Sequence, residues 1–340
     1  MSWNLRKLLA AISLASVSLL SGSAWASYSG LYVFGDSLAD SGNNYLALGG
    51  QTTSVPITNP NDLIPTYPYA NAGTYSNGPV WTQYLANSLG LALTPSLAGG
   101  TNYAFGGART GPGVTPPSLT PFPPSMITQV NMAFGAAGAI APSTALYVVE
   151  GGGNDARDVL LAALGGGLQA AAPLIGAYAT NVASILATLS SKGADQFLVW
   201  NVPDIGKIPA IAGQGAQASN TASFLVALMN QALVQALSLL PADVTDGVHL
   251  FDAYGVFNDV VGNPGAYGFT DVSDPCAFFF YSQTCYGNPS GYLFWDGIHP
   301  TTQGYQLLAR LALAEIPEPE TLLLLAIGMI GIVVTRRKAA

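Results

Sequence analysis

Near the C-terminal end of this chain an aspartate and a histidine stand three residues apart, and they are the first groups with chemistry to offer. The sequence holds only two histidines. His299 lies in Phe294-Trp295-Asp296-Gly297-Ile298-His299-Pro300-Thr301, just ahead of a helical pattern. One turn of chain brings the Asp296 carboxylate to the imidazole, where it fixes the tautomer and leaves the far nitrogen to accept a proton. The other histidine, His249, sits in Gly247-Val248-His249-Leu250-Phe251-Asp252, on one face of an apolar strand, and reads as structural.

A base of this kind needs a nucleophile. Ser37 lies in Phe34-Gly35-Asp36-Ser37-Leu38-Ala39-Asp40-Ser41-Gly42-Asn43, where an apolar run stops and Gly35 lets the chain turn. A serine capping a helix gives the same local pattern, and the chain has no Gly-x-Ser-x-Gly elbow, so Ser37 alone decides nothing. Acyl transfer also requires donors aimed at the developing oxyanion. Asn102-Tyr103-Ala104-Phe105-Gly106-Gly107-Ala108 offers N–H groups unshielded by side chains, and Gly152-Gly153-Asn154-Asp155 offers the Asn154 amide. The Ser37 N–H brings the donors to three.

The elements that must position these groups read as alternating strands and helices. Apolar runs at 30–34, 145–150, 196–201 and 248–252 have the continuous character of strands buried on both faces. Helical patterns occur at 80–89, from Met126 towards Ala136, through Leu174, Tyr178, Val182 and Leu189, through Phe224 to Leu237, and at 301–314 with Thr301 as N-cap. This order predicts an α/β fold with a parallel sheet covered on both faces, where ligands sit at the carboxyl ends of the strands. Asp36-Ser37, Gly106-Gly107 and Asn154-Asp155 all fall at strand ends or glycine turns. The segments 43–78 and 110–125, rich in Pro, Gly, Asn and Thr, read as surface loops, the first as part of a substrate rim.

In this order, the four polar segments resemble those of the GDSL lipase/esterase, or SGNH hydrolase, family: Gly-Asp-Ser, Asn-Tyr-Ala-x-Gly-Gly-Ala, Gly-x-Asn-Asp and Asp-x-x-His-Pro-Thr. The resemblance implies a three-layer α/β/α sandwich with a central, mostly parallel sheet, no cofactor and no metal. It also implies hydrolysis of carboxylic esters, in lipids or acetylated glycans, through an acyl-serine. Carried over by position, Ser37 is nucleophile and first oxyanion donor, Gly107 the second donor with Gly106 as fallback, and Asn154 the third. Asp296 orients and His299 is the base. Glu150 departs from the family, which commonly has an apolar or aromatic residue there. An acyltransferase using the same triad, and a catalytically silent surface scaffold, are the alternatives.

The termini carry addresses. Arg6-Lys7, the apolar stretch from Leu8 to Leu20 and Ala24-Trp25-Ala26 describe a secretory signal peptide over residues 1–26. At 317–340, Pro317-Glu318-Pro319, an apolar run and Arg336-Arg337-Lys338 resemble the PEP-CTERM sorting signal. That resemblance implies export from a Gram-negative cell, processing by an exosortase, transient membrane contact through the terminal segments and association with exopolysaccharide. Residues 27–316 between the two read as one hydrolase domain.

Export favours a disulfide between Cys276 and Cys285, nine residues apart, in a stretch that by family resemblance braces the Asp296 loop. Five of the ten basic residues lie in the terminal segments. The acidic body they leave is a poor partner for nucleic acid. Gly151-Gly152-Gly153-Asn154-Asp155-Ala156 loosely fits a dinucleotide fingerprint, but no acidic residue follows between Asp158 and Asp195 to hold a ribose.

Overall fold

Among the described residues, four short and largely apolar runs pair as parallel strands: β1 (Leu31–Gly35), β2 (Leu146–Glu150), β3 (Gln196–Trp200) and the partly buried edge strand β4 (Val248–Phe251), in the order β1-β2-β3-β4. The computed structural model describes residues 28–112, 122–280 and 285–316. Residues 29–315 form one compact unit. The signal-peptide and sorting segments lie outside the described residues, as does 113–121 of the Pro-rich loop.

Among the described residues six helices of eight or more residues accompany the strands: α1 (Trp81–Ser88), α2 (Met126–Phe134), α3 (Gly153–Ser191), α4 (Ala216–Ser238), α5 (Ala253–Gly262) and α6 (Thr302–Glu315). The ladder aligns Tyr32, Tyr147 and Phe197 in one row and Phe34, Val149 and Val199 in another. Both rows belong to a core completed by Val130 and Phe134 of α2, Val159, Tyr178 and Val182 of α3, and Leu225 and Met229 of α4. On the alternate face, Trp200 meets Trp81 of α1 with ring centroids 4.2 Å apart, and α1 packs on α6. The result is the expected three-layer α/β/α arrangement.

A further pairing sets the position of the site. Val33, whose strand pairs with β2 along one edge, also accepts from Tyr103 N (2.7 Å) and donates to Thr101 O (3.0 Å), in a parallel bridge with Asn102. The chain therefore continues to opposite sides of β1, and a crevice opens at the carboxyl end of that strand.

Two elements differ from the sequence pattern. The helix expected from Leu174 begins at Gly153, directly after β2, and breaks its helical dihedrals at Gly166 and Gly167 before resuming through Pro173. Helix α5 was not apparent from periodicity. By length and composition α3 and α4 could each cross a bilayer. Each instead runs between two strands of one sheet and buries its apolar stripe on that sheet, so both are core helices.

Candidate active site

At the end of β1 the backbone of Gly35 passes so close to β2 that a Cβ would lie 2.5 Å from Glu150 O. Only glycine fits. Gln129 of α2 pins the same residue from the other side, accepting from Gly35 N (2.9 Å) and donating to Gly35 O (2.8 Å). The chain then turns, with Ala39 N and Asp40 N donating to Asp36 O, and Ser37 stands in that turn at the crevice. No helix begins there, so Ser37 is not an N-cap.

Across the crevice, His299 Nε2 lies 2.8 Å from Ser37 Oγ. On its other side, Nδ1 lies 2.7 Å from Asp296 Oδ2 and 2.9 Å from Oδ1. A carboxylate accepts hydrogen bonds, so the proton belongs on Nδ1 and Nε2 is left to accept from the serine. Asp296 Oδ1 also accepts from Ile298 N and His299 N, both at 2.8 Å, and Tyr69 Oη donates to Oδ2 at 2.9 Å. Both side chains are buried, Asp296 fully. The Tyr75 ring lies 5.1 Å from the imidazole.

The expected oxyanion donors gather at the same place. Gly106 N is occupied, donating to Asp40 Oδ2 at 3.0 Å. Gly107 N and Ser37 N make no hydrogen bond among the described residues. Gly107 holds a φ of +83°, a conformation glycine adopts without steric cost. This geometry favours Gly107 over Gly106. The Asn154 amide donates to Ala108 O at 3.0 Å and to Asp36 Oδ2 at a longer 3.3 Å. Asp155 ties the two donor loops together, accepting from Thr110 N (3.1 Å) and Thr110 Oγ1 (2.7 Å). Ser37, Gly107, Asn154, Asp296 and His299 therefore meet in one crevice, while His249 stays in β4, where its ring faces Gln196 Oε1 at 3.4 Å.

Several residues that build the site were not singled out from sequence. Asp40 accepts from Gly42 N, Asn43 N, Asn44 N and Gly106 N. Asn43 Nδ2 donates to Asn102 O and Ala104 O. These contacts clasp the serine segment to the Gly106-Gly107 segment, and they explain why Asp40 and Asn43 belong to the same block as Ser37. Tyr69 offered no such signal. It lies in the 43–78 segment read as a surface loop, yet Ile57, Tyr69, Thr74, Tyr75 and Ser76 of that segment are buried. The segment is a wall as much as a rim.

Burial dominates the electrostatics behind Ser37. It pushes Asp36 and Asp40 up to about 6, against the pull of the N–H groups they accept. Glu150, fully buried opposite Gly35, is raised well above the usual carboxylate range by burial and then by the nearby Asp36. Its Oε2 has no hydrogen-bond partner. Burial also raises Tyr69, with the Asp296 charge adding to it, so the phenol remains a donor.

The disulfide forms as expected between Cys276 and Cys285, with Cα atoms 5.2 Å apart. Cys276 N donates to Phe294 O and Ala277 N to Trp295 O, so the bridged segment lies against the strand-like stretch that ends at Asp296. Ile57 N donates to Ala277 O on the far side, and Tyr69 meets Trp295 edge-on at 5.7 Å.

Two openings flank the serine. A cleft of about 340 Å³ is walled by residues of the 43–78 segment, by Gly106-Gly107 and by Phe122-Pro123. A smaller pocket of about 50 Å³ lies towards Leu38, Pro203, Ile205 and Ile208. Ser37, Asn154, Arg157 and Ile298 border both.

A parallel α/β/α sandwich with a Ser-His-Asp constellation and converging N–H donors defines a class of hydrolase. Comparison with known proteins makes the assignment particular: residues 31–312 match the GDSL-like lipase/acylhydrolase family, and the chain belongs to it. Residues 315–338 match the PEP-CTERM protein-sorting motif. A GDSL esterase/lipase of Arabidopsis thaliana is 30% identical, over 89% of this chain and 94% of its own. Esterase EstA of Pseudomonas aeruginosa is 29% identical over 94% of this chain and 52% of its own. A protein of the trpE-trpG intergenic region of Pseudomonas putida is 29% identical over 92% and 53%. The chain thus spans about half the length of these Pseudomonas relatives. Among solved structures, the acetylxylan esterase Axe2 of Geobacillus stearothermophilus aligns at 15% identity with a TM-score of 0.42, over 84% of this chain and 93% of that one. The family matched is one of lipases and acylhydrolases.

Proposed function

We propose that the protein is an exported serine esterase in which Ser37, His299 and Asp296 act as a triad and Ser37 N, Gly107 N and the Asn154 amide form the oxyanion hole. Ser37 Oγ attacks the ester carbonyl while His299 Nε2 takes its proton. The tetrahedral oxyanion collapses, expelling the alcohol, which leaves with that proton, and an acyl-serine remains. Water, deprotonated by the same imidazole, then releases the carboxylic acid and restores the serine. Asp296 holds the imidazole and stabilises its charged form. The hydrogen that Asn154 places on Asp36 at 3.3 Å makes a long bond and is the one free to turn to the oxyanion.

The observation that carries this reading is the 2.8 Å contact between groups 262 residues apart in the chain, Ser37 Oγ and His299 Nε2. The sorting motif supports export from a Gram-negative cell with processing by an exosortase, and with it the division into signal peptide (1–26), hydrolase domain (27–316) and sorting segment (317–340). Acetyl groups on exopolysaccharide fit this location as substrate. A fluorophosphonate probe followed by peptide mass spectrometry should modify Ser37. Ser37→Ala should abolish turnover of short-chain p-nitrophenyl esters with an unchanged circular dichroism spectrum. Label at another residue, or full activity in Ser37→Ala, would overturn the mechanism.

A further inference from the structure

Arg157 follows Asn154 by three residues on α3, so both side chains share the face that looks onto the site. It borders the cleft and the small pocket alike. Among the described residues it is the only arginine, lysine or carboxylate of the cleft wall. Its neighbour Arg109 is already committed, paired with Asp158 through two hydrogen bonds. Arg157 itself makes no ion pair or hydrogen bond among the described residues. The charges that act on it, Arg109 and Asp158, are the two halves of that pair and act in opposite directions. The undescribed loop segment 113–121 contains no Asp or Glu to neutralise it.

A half-buried guanidinium with no partner among the described residues is costly unless something satisfies it, and this one stands beside the proposed nucleophile of an acidic protein. An acidic surface repels anions at long range, so a lone cation in the cleft selects for them only at contact. The guanidinium fork matches the two oxygens of a carboxylate or phosphate. We propose that Arg157 binds an oxyanion carried by the substrate, so that the protein prefers carboxylic esters whose other parts include a carboxylate or a phosphate. This deepens the esterase reading and rests on it.

The test uses three acetyl esters: an acetylated glucoside, the matching acetylated glucuronoside and an acetylated glycerol phosphate. The wild-type protein should show kcat/KM about tenfold higher for at least one anionic ester than for the neutral one. Arg157→Gln should remove that ratio and Arg157→Lys should keep part of it. Preference for the glucuronoside alone assigns an acidic polysaccharide, and preference for the phosphate alone assigns a phospholipid-type headgroup. A wild-type ratio near one, or a ratio untouched in Arg157→Gln, overturns the proposal. Calorimetry with Ser37→Ala reads the subsite without turnover. Glucuronoside or glycerol phosphate binding that is lost in Ser37→Ala/Arg157→Gln upholds the anion site even where no ester is cleaved, and equal affinity in both variants refutes it. Absence of turnover and of Ser37 labelling in the wild type is, by contrast, failure of the esterase reading alone.

Discussion

Tyr69 illustrates how much of a triad's behaviour is decided outside its three members. Its hydroxyl donates to the same Asp296 oxygen that faces His299 Nδ1. A hydrogen bond to a charged group contributes roughly 1.5–3 kcal/mol, and here it stabilises negative charge on the carboxylate. Without it, the carboxylate loses one of the donors that fix its orientation towards the imidazole. Tyr69→Phe should therefore lower kcat by about threefold to tenfold and leave KM nearly unchanged. Tyr75→Phe is the companion variant. Its hydroxyl accepts from Asn44 (2.7 Å) and makes no hydrogen bond to Asp296, so its kcat should fall less.

At the scale of elements, the loop that delivers Asp296 and His299 owes its shape to three layers of chain: the segment at Ile57, the disulfide segment at 276–277 and the stretch at 294–295. Closing a loop with a separation of nine residues removes chain entropy worth about 2.7 kcal/mol. Cys276→Ser/Cys285→Ser should lower the stability measured in urea by about 2–3 kcal/mol. It should lower kcat more than it raises KM, because the loop it supports carries the base and contributes only Ile298 and His299 to the cleft wall. The strands were legible because a buried parallel strand has no polar face and appears as an unbroken apolar run. The start of α3 was not. Gly151-Gly152-Gly153 and the glycines at 165–167 carry the composition of turns, and only the packing of Val159 and Ala156 against the sheet makes that stretch helical. Asp296 and His299 were legible as a pair through their three-residue spacing, and Ser37 only through the resemblance of the four polar segments to the family's. Tyr69 was not, since its contact with Asp296 spans 227 residues and its own neighbourhood looks like solvent-exposed loop.

For the whole molecule, mild acidification should raise stability. Burial raises the carboxyls of Asp36, Asp40, Glu150 and Asp155 above their ordinary range. A raised acid holds its proton in the folded chain at a pH where the unfolded chain has released it. Its contribution to stability is present below about pH 4 and disappears as pH climbs through about 6 for Asp36 and Asp40, and higher for Glu150. His249, lowered by burial, opposes this, but it is one half-buried group against four carboxyls. Differential scanning fluorimetry should find Tm several degrees higher at pH 5 than at pH 7.5, about 2–4 °C for each kcal/mol in a chain of this size. Glu150→Gln should raise Tm at pH 7.5 and flatten the slope. A Tm that falls steadily between pH 7.5 and 5 would contradict the assignment.

The 262-residue separation between the serine and the imidazole it touches also has a bearing on biosynthesis. A polypeptide threaded through a membrane amino end first delivers position 37 long before position 299. Until then the hydroxyl is an ordinary alcohol with nothing to withdraw its proton. A product cut short by stalled translation, or caught halfway through the translocon, is on the proposed mechanism chemically inert towards the lipids around it.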